Sequence, residues 1–99
     1  MSQESWWDRH RWEFEGQRAA QIEDFANRYD NPTERKRRVG RYVLWCLTNG
    51  HEPAERNPER VEAYLREVRT LRGRRPFASR TKEEVRACIR DWHTWLAIR

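Results

Sequence analysis

Apolar residues recur at intervals of three and four along most of this 99-residue chain, and that spacing constrains its fold more than any other feature. In an α-helix this interval places side chains on one face, so each such segment predicts an amphipathic helix with a buried stripe. No segment shows the sustained alternation of apolar and polar residues that a half-buried strand requires. The sequence therefore predicts an all-α protein.

Capping residues divide the pattern into four main helices. A capping box at residues 5–8 predicts the start of the first helix, and Gly16 predicts a kink or a break within it. The dipeptides Asn31-Pro32 and Asn57-Pro58 place an N-cap before a proline at the first helical position, which opens the second and third helices. A second capping box at residues 81–84 opens the last helix.

The apolar stripes of these helices define one expected core. Its members share the helical spacing and come from all four helices: Trp7, Phe14, Ala19, Ile22, Ala26, Tyr29, Val39, Tyr42, Val43, Cys46, Leu47, Val61, Tyr64, Leu65, Val68, Leu71, Val85, Cys88, Ile89, Trp92 and Leu96. Both cysteines fall on stripes and fit no metal-ligand spacing, so they are expected to be buried free thiols. A disulfide between their helices is the alternative.

The length corresponds to a single domain over residues 1–99, with a tryptophan-rich helical extension at 1–18 and a helical bundle at 19–97. The charged fraction of 37% is close to that of disordered chains, but six tryptophans, three tyrosines and three phenylalanines supply the apolar area of a core. No apolar run approaches the roughly 20 residues that span a bilayer, and the N-terminus lacks a secretory-signal pattern. We therefore expect a cytoplasmic protein without a membrane partner.

The charge balance favours a polyanionic partner. The chain carries 21 Lys and Arg against 16 Asp and Glu, a net charge of +5. Only Lys36 and Lys82 are lysines, and the guanidinium groups that supply the remaining charge can donate two hydrogen bonds to a phosphate or a guanine edge. Residues 72–80 are expected to form a loop with four arginines. The arginine bias of a GC-rich genome is the alternative explanation.

Five cationic side chains crowd the opening turns of the second helix, within residues 33–45. On a helical projection the apolar stripe points one way, and Arg38, Arg41 and Trp45 point the other. A strip of guanidinium groups beside an exposed aromatic ring suits phosphate contacts and stacking. A solvated charged face with a stray tryptophan is the alternative.

A second cationic strip lies on the last helix, where Lys82, Arg86 and Arg90 recur every four residues along one flank. Glu84 and Asp91 lie on the other side of the apolar stripe, so the signs of charge are separated by face. Such separation directs a positive potential outward, which a phosphate would neutralise. Pairing within the protein is the other way to neutralise it.

The sequence offers no catalytic constellation. The three histidines have no second ligand at helical metal spacing, and the three tyrosines fall on apolar stripes. Neither a glycine-rich phosphate cradle nor a Gly-x-Ser-x-Gly turn occurs. We expect a protein that is not an enzyme and needs no metal or cofactor.

Four features together resemble a known module: the helix opening at Thr33, the motif at residues 41–47, the helix start at residues 57–65, and the last helix at 81–96 with Trp92 and Trp95. They resemble the core-binding domain of tyrosine recombinases. This SAM-like bundle of four helices precedes the catalytic domain in phage-type integrases. The similarity covers residues 19–96.

The resemblance implies that the second and last helices face DNA and, with a catalytic domain, clamp it. The DNA-contacting positions that it and the helical geometry indicate are Arg35, Lys36, Arg38, Arg41, Trp45, Arg80, Lys82, Arg86 and Arg90. Glu83 and Glu84 depart from the family, which often has polar or basic side chains there. The family's catalytic domain is absent from these residues, so the chain is either an N-terminal piece of a recombinase or a stand-alone relative.

Two functions follow as hypotheses. The first is a duplex DNA-binding module that grips phosphates and is not catalytic by itself. The second is a helical protein-interaction module that uses Trp6, Trp7 and Trp12 as anchors. Packing of these rings onto Trp92 and Trp95 is the plainer explanation of the cluster. The two functions are compatible, with self-association or a separate catalytic domain as the protein partner.

Overall fold

Five α-helices make up most of the computed structural model, which describes residues 5–98. The helices are α1 (Trp6–His10), α2 (Arg18–Ala26), α3 (Pro32–Thr48), α4 (Pro58–Glu67) and α5 (Ser79–Ile98). A 3-10 turn, Arg11–Glu13, follows α1. The described residues contain no strand, and their one β-type pairing is an isolated antiparallel bridge between Arg69 and Pro76. The all-α prediction is confirmed.

Of the kink or break expected at Gly16, the structure has the break. This residue has a φ of +58°, a left-handed conformation that favours glycine, and it separates the 3-10 turn from α2. Trp7 then folds back so that its ring stacks on Phe14 at 5.0 Å, and its Nε1 donates to Glu23 Oε2 at 3.0 Å. Arg11 donates two hydrogen bonds to the same carboxylate, which lowers the pKa of Glu23. The predicted first helix is thus two helices pinned together.

The caps of α1 and α4 form as the sequence predicts. Ser5 Oγ accepts from the amide of Asp8 at 3.2 Å, while the Asp8 carboxylate accepts from the amide of Ser5. In α4, Asn57 Oδ1 accepts from the amide of Arg60 at 3.0 Å. These bonds satisfy amide donors that the first helical turn leaves free.

One predicted helix start is wrong, and the N-cap at another correctly predicted start lacks its side-chain hydrogen bond to the backbone. Asn31 occupies the N-cap of α3, but its side chain accepts from Arg35 Nε rather than from a backbone amide. The expected capping box at Thr81 does not open α5, which begins two residues earlier at Ser79. The amide of Lys82 donates to the Ala78 carbonyl at 2.9 Å, so Thr81 is already inside the first turn.

The core consists of two clusters that share α3 and α5. The first joins α1, α2, α3 and α5 around Trp7, Phe25 and Trp92. The second joins α3, α4 and α5 around Tyr42 and Tyr64. The sequence predicted one core from nearly the same residues, and it missed Phe25, which is fully buried.

Two leucines of the predicted stripes are exposed, Leu47 and Leu71. α4 ends at Glu67 because Val68 turns to an extended conformation, and this removes Leu71 from the helical stripe. Leu47 lies on the last turn of α3 and lines a shallow groove with Glu13 and Arg18.

Both cysteines are buried free thiols, as predicted. Within residues 5–98, none of the helices has the length and apolarity needed to cross a membrane.

Gly40 sets how closely α1 approaches α3. A Cβ placed on this residue would lie 2.8 Å from the Trp6 ring and 3.2 Å from the Trp7 ring. Distances this short are overlaps between bulky, packed side chains. The absence of a side chain at residue 40 therefore lets both tryptophans lie against α3.

We predict that Gly40→Ala destabilises the protein by about 1–3 kcal/mol, because displacement of the rings outweighs the better helix propensity of alanine. Chemical denaturation followed by circular dichroism measures this change. In a Trp6→Ala background the same substitution should become nearly neutral, since its main clash is gone. Equal losses in both backgrounds would show that Trp6 does not impose the requirement.

His93 is the one buried polar residue among those described. Its ring lies between Trp92 and Tyr42, with centroid distances of 5.3 and 6.1 Å, and its Nε2 donates to the Pro53 carbonyl at 2.8 Å. Burial is the main cause that lowers the pKa of His93; the hydrogen bond to Pro53 opposes it, and the nearby Arg56 and Arg60 lower the pKa further. The folded protein therefore prefers the neutral imidazole.

This preference predicts a stability loss in mild acid. Below the ordinary histidine pKa of about 6.5 the unfolded chain takes up a proton that folded His93 resists, so the free energy of unfolding falls by up to about 1.4 kcal/mol per pH unit. Denaturation midpoints between about pH 7 and 5 measure the slope. His93→Gln, whose amide can still donate to Pro53, should flatten it. An unchanged slope in this variant would assign the effect to other groups.

Candidate nucleic-acid interface

The arginines nearest the core of α3 bridge it to α5. Arg38 Nη2 donates to Glu34 at 3.1 Å and to Glu84 at 3.0 Å, and only 16% of its side chain is exposed. Arg35 lies 3.6 Å from Asp91, with its guanidinium 3.5 Å above the Tyr29 ring. Both arginines are therefore partly neutralised within the protein.

Arg41 and Trp45 are also tied to neighbouring segments. Arg41 Nη2 donates to the Arg69 carbonyl at 2.7 Å, which fixes the chain after α4 against α3. Trp45 donates from Nε1 to Glu67 at 2.7 Å and packs beside Tyr64. It is half-buried rather than the exposed ring that the helical projection predicted, because α4 covers it.

The remaining cations of α3 are more available. Arg37 donates to Glu34 at 2.9 Å and keeps other donors unpaired. Lys36 makes no ion pair with any residue between 5 and 98. These two side chains extend the cationic strip toward the start of the helix.

The predicted cationic strip on α5 contains both paired and unpaired side chains. Arg86 donates two hydrogen bonds to Glu62, at 2.7 and 2.9 Å, so it joins α5 to α4 and lowers the pKa of that carboxyl. Arg90 is 3.8 Å from Asp91. Arg80 is 90% exposed and has one pair, 3.4 Å from Glu84, while Lys82 has no ion pair in the described chain. The start of α5 thus offers more free charge than its middle.

The sequence predicted an arginine-rich loop at residues 72–80, but only Arg80 of that loop was placed among the DNA-contacting residues. Residues 69–82 contain six cations and no carboxylate, whereas the other 85 residues contain 15 cations and 16 carboxylates. The whole positive excess of the protein therefore resides in this segment. Counting charge in short windows would have shown it, whereas helical projection alone could not, because residues 69–78 are not helical.

Residues 69–76 form a short turn that we call the arginine hairpin. Its ends meet at the bridge between Arg69 and Pro76, and the amide of Thr70 donates to the Arg75 carbonyl at 2.8 Å. Three of its arginines, Arg72, Arg74 and Arg75, are exposed and form no ion pair with the described residues. They are unengaged cations on a fixed turn.

A cavity of about 410 Å³ lies where the hairpin meets α3 and the start of α5. Its charged lining consists of Arg37, Arg38, Arg41, Arg72, Glu34 and Glu84. Thr81 adds a hydroxyl group to the lining, whereas the Thr70 hydroxyl already donates to the Arg72 carbonyl at 2.6 Å. Guanidinium groups outnumber carboxylates four to two, so the cavity suits an anion such as a phosphate.

A larger open groove lies at the C-terminal end of α5, with a volume of about 970 Å³. Two arginines, Arg18 and Arg56, and two glutamates, Glu15 and Glu52, line it. The opposite signs cancel there, so this groove lacks the directed potential of the hairpin cavity. Within the described part of the chain, no group of three or more His, Cys, Asp or Glu is arranged to hold a metal ion.

The three N-terminal tryptophans differ in exposure. Trp7 is 1% exposed, and Trp6 packs on the first core cluster while it stacks on His10 at 4.5 Å. Trp12 is 80% exposed, and its Nε1 donates to the Arg9 carbonyl at 3.0 Å. Core packing therefore explains two of the rings, and Trp12 is the one presented to solvent.

Comparison with known proteins identifies no relative: no family model matches the chain, and neither do the curated proteins or the solved structures.

Glu84 opposes cations of two helices at this surface, since it lies 3.0 Å from Arg38 of α3 and 3.4 Å from Arg80 of α5. We predict that Glu84→Gln strengthens binding to a duplex oligonucleotide about three- to tenfold at low salt and steepens its salt dependence, because two guanidinium groups lose a competitor. Fluorescence anisotropy measures both quantities. Glu59→Gln removes an exposed carboxylate elsewhere and should have a smaller effect; equal gains would show that only net charge matters.

Proposed function

We propose that this protein is a duplex DNA-binding module of the site-specific recombinase type, which grips phosphates and does not catalyse a reaction by itself. The observation that carries the proposal is the meeting of two basic segments, α3 and the acid-free segment at residues 69–82, around one cavity. The recombinase-type assignment rests on the resemblance of residues 19–96 to the core-binding domain.

Several cations held on rigid elements can bind successive phosphates of one DNA backbone. DNA presents a negative charge at short, regular intervals, and each neutralised phosphate releases condensed counterions. The proposed contacts are cations of α3, the hairpin and the start of α5: Arg37, Arg41, Arg72, Arg75, Arg80 and Lys82. Their guanidinium groups suit two-pronged contacts with phosphate oxygens.

Other predicted contacts take a supporting role in this proposal. Arg35 and Arg86 hold α5 to its neighbours through Asp91 and Glu62, so they position the surface more than they touch the ligand. Arg38 lies between these cases because it lines the cavity while it pairs with two carboxylates. Arg90 lies farther along α5 and would contact DNA only at the edge of the surface.

The interaction-module hypothesis has less support. Trp7 is buried and Trp6 partly so, which leaves Trp12 as a single exposed aromatic anchor. Protein interfaces usually depend on several clustered anchors surrounded by a rim that excludes water. The cationic surface involves more residues and three chain segments, so DNA binding is the function we favour.

The test is a salt titration of duplex binding. Arg80→Gln with Lys82→Gln should reduce the magnitude of the slope of log K against log salt concentration by roughly 2, because each residue contacts about one phosphate. Affinity at low salt should fall by about tenfold or more. Circular dichroism checks that the variant is folded.

The matched control is Arg9→Gln with Arg56→Gln, which removes two exposed arginines outside the proposed surface. Its slope should stay close to that of the native protein. If both variants reduce the slope by the same amount, DNA does not bind preferentially at the proposed surface. If the native protein shows no duplex binding at low salt, the proposed function is wrong.

A further inference from the structure

We infer that the arginine hairpin enters the minor groove of duplex DNA and favours A·T-rich sequence there. The inference rests on the proposed function, because it concerns the same ligand and the same face. It adds a sequence preference and a groove, neither of which phosphate contacts supply.

The hairpin is held in a defined shape. The hydroxyl of Thr70 accepts from the Arg75 amide at 3.1 Å and donates to the Arg72 carbonyl at 2.6 Å, which closes the turn from inside. The Thr70 amide closes it again through the Arg75 carbonyl. A closed turn has little conformational entropy to lose when it binds.

The base of the hairpin is fixed to the helices. Arg69 Nη1 donates to the carbonyls of Arg66, Glu67 and Val68 at 3.0–3.1 Å, where α4 leaves its last carbonyl groups free. Arg41 donates to the Arg69 carbonyl from α3. The hairpin therefore keeps a fixed position relative to the phosphate-binding cations of α3 and α5.

The tip of the hairpin is narrow and cationic. Gly73 and Arg74 have φ values of +85° and +49°, a left-handed pair that reverses the chain within two residues. A Cβ on Gly73 would meet only the flexible Arg75 side chain, at 3.9 Å, so the apex faces open space. Exposed guanidinium groups follow on either side, at Arg72, Arg74 and Arg75.

These properties match the minor groove better than the major groove. The minor groove is about 6 Å wide, too narrow for a helix, but it accepts single side chains from a tight turn. A·T-rich tracts narrow it further and raise its negative potential, which attracts unpaired arginines. Phosphates alone would not require a narrow apex, since exposed cations on a helix reach them equally well.

Leu71 adds an independent observation. It is 52% exposed although it is a large apolar residue, and it precedes the cationic tip. Minor-groove proteins often place an apolar side chain against the sugar edges or between base steps, beside their arginines. An exposed leucine on an otherwise charged turn fits that use.

The experiment uses the full chain and three duplexes of equal length and identical flanks, with central A·T, G·C or inosine·cytosine pairs. Inosine·cytosine keeps the major-groove pattern of G·C but lacks the guanine amino group in the minor groove. We expect the A·T and inosine·cytosine duplexes to bind alike and about fivefold more tightly than G·C. Distamycin, a minor-groove ligand, should displace the protein from the A·T duplex.

The hairpin variant is Arg72→Gln with Arg74→Asn, since asparagine tolerates the left-handed conformation. It should bind the three duplexes with equal affinity. The control, Arg80→Gln with Lys82→Gln, also loses two charges but should weaken all three and keep the preference. The distamycin and inosine measurements need no variant, so they test the inference even if the hairpin variant does not fold.

Several results would overturn the inference. Equal affinity of the native protein for all three duplexes would exclude minor-groove reading while leaving the proposed DNA-binding function intact. If the G·C and inosine·cytosine duplexes bind with equal affinity and the A·T duplex differs from both, the protein reads the major groove instead. If the folded hairpin variant still prefers the A·T and inosine·cytosine duplexes, residues other than those of the hairpin cause the preference. Absence of any duplex binding at low salt would refute the proposed function as well.

Discussion

The structure depends on the burial of α3 on several sides at once. This helix contributes to both core clusters, and α1 reaches it closely only because residue 40 has no side chain. The nine residues that follow Pro32 nevertheless include five cations. A helix this enclosed cannot direct all of those charges to solvent, and a half-buried guanidinium is costly unless it is paired. Most of the ion pairs around α3 follow from that conflict.

The conflict separates the arginines into two groups with different roles. Arg35 and Arg38 lie near the core, and carboxylates of α5 neutralise them, so their charge is largely used in holding the two helices together. The hairpin arginines lie beyond the core and have no carboxylate neighbours in the chain. Local net charge, rather than the total of +5, therefore determines where a polyanion would be attracted.

Local signals predicted most of the helices and little of the surface. Proline and capping positions placed α3 and α4, and glycine at residue 16 marked the break, because these effects act within one helical turn. The pairing of Arg38 with Glu84 spans 46 residues, so no local pattern indicates it. Trp45 was mistaken for an exposed ring because a projection of α3 omits the covering α4. Likewise, the sequence indicated the cations of α3 and α5, but it could not show that the hairpin packs beside them, because that arrangement depends on tertiary packing.

This division of roles decides how substitutions on the surface should be interpreted. Arg41 lines the cavity and also anchors the hairpin through the Arg69 carbonyl, so its loss would disturb binding through structure as well as through charge. The same holds for Arg86, whose two bonds to Glu62 join α5 to α4. Lys82 and Arg72 have no such bonds among the described residues, so their removal changes charge with little effect on the fold. Contacts with DNA are therefore best assigned from these unpaired cations, and effects at Arg41 or Arg86 count as evidence of contact only when stability is unchanged.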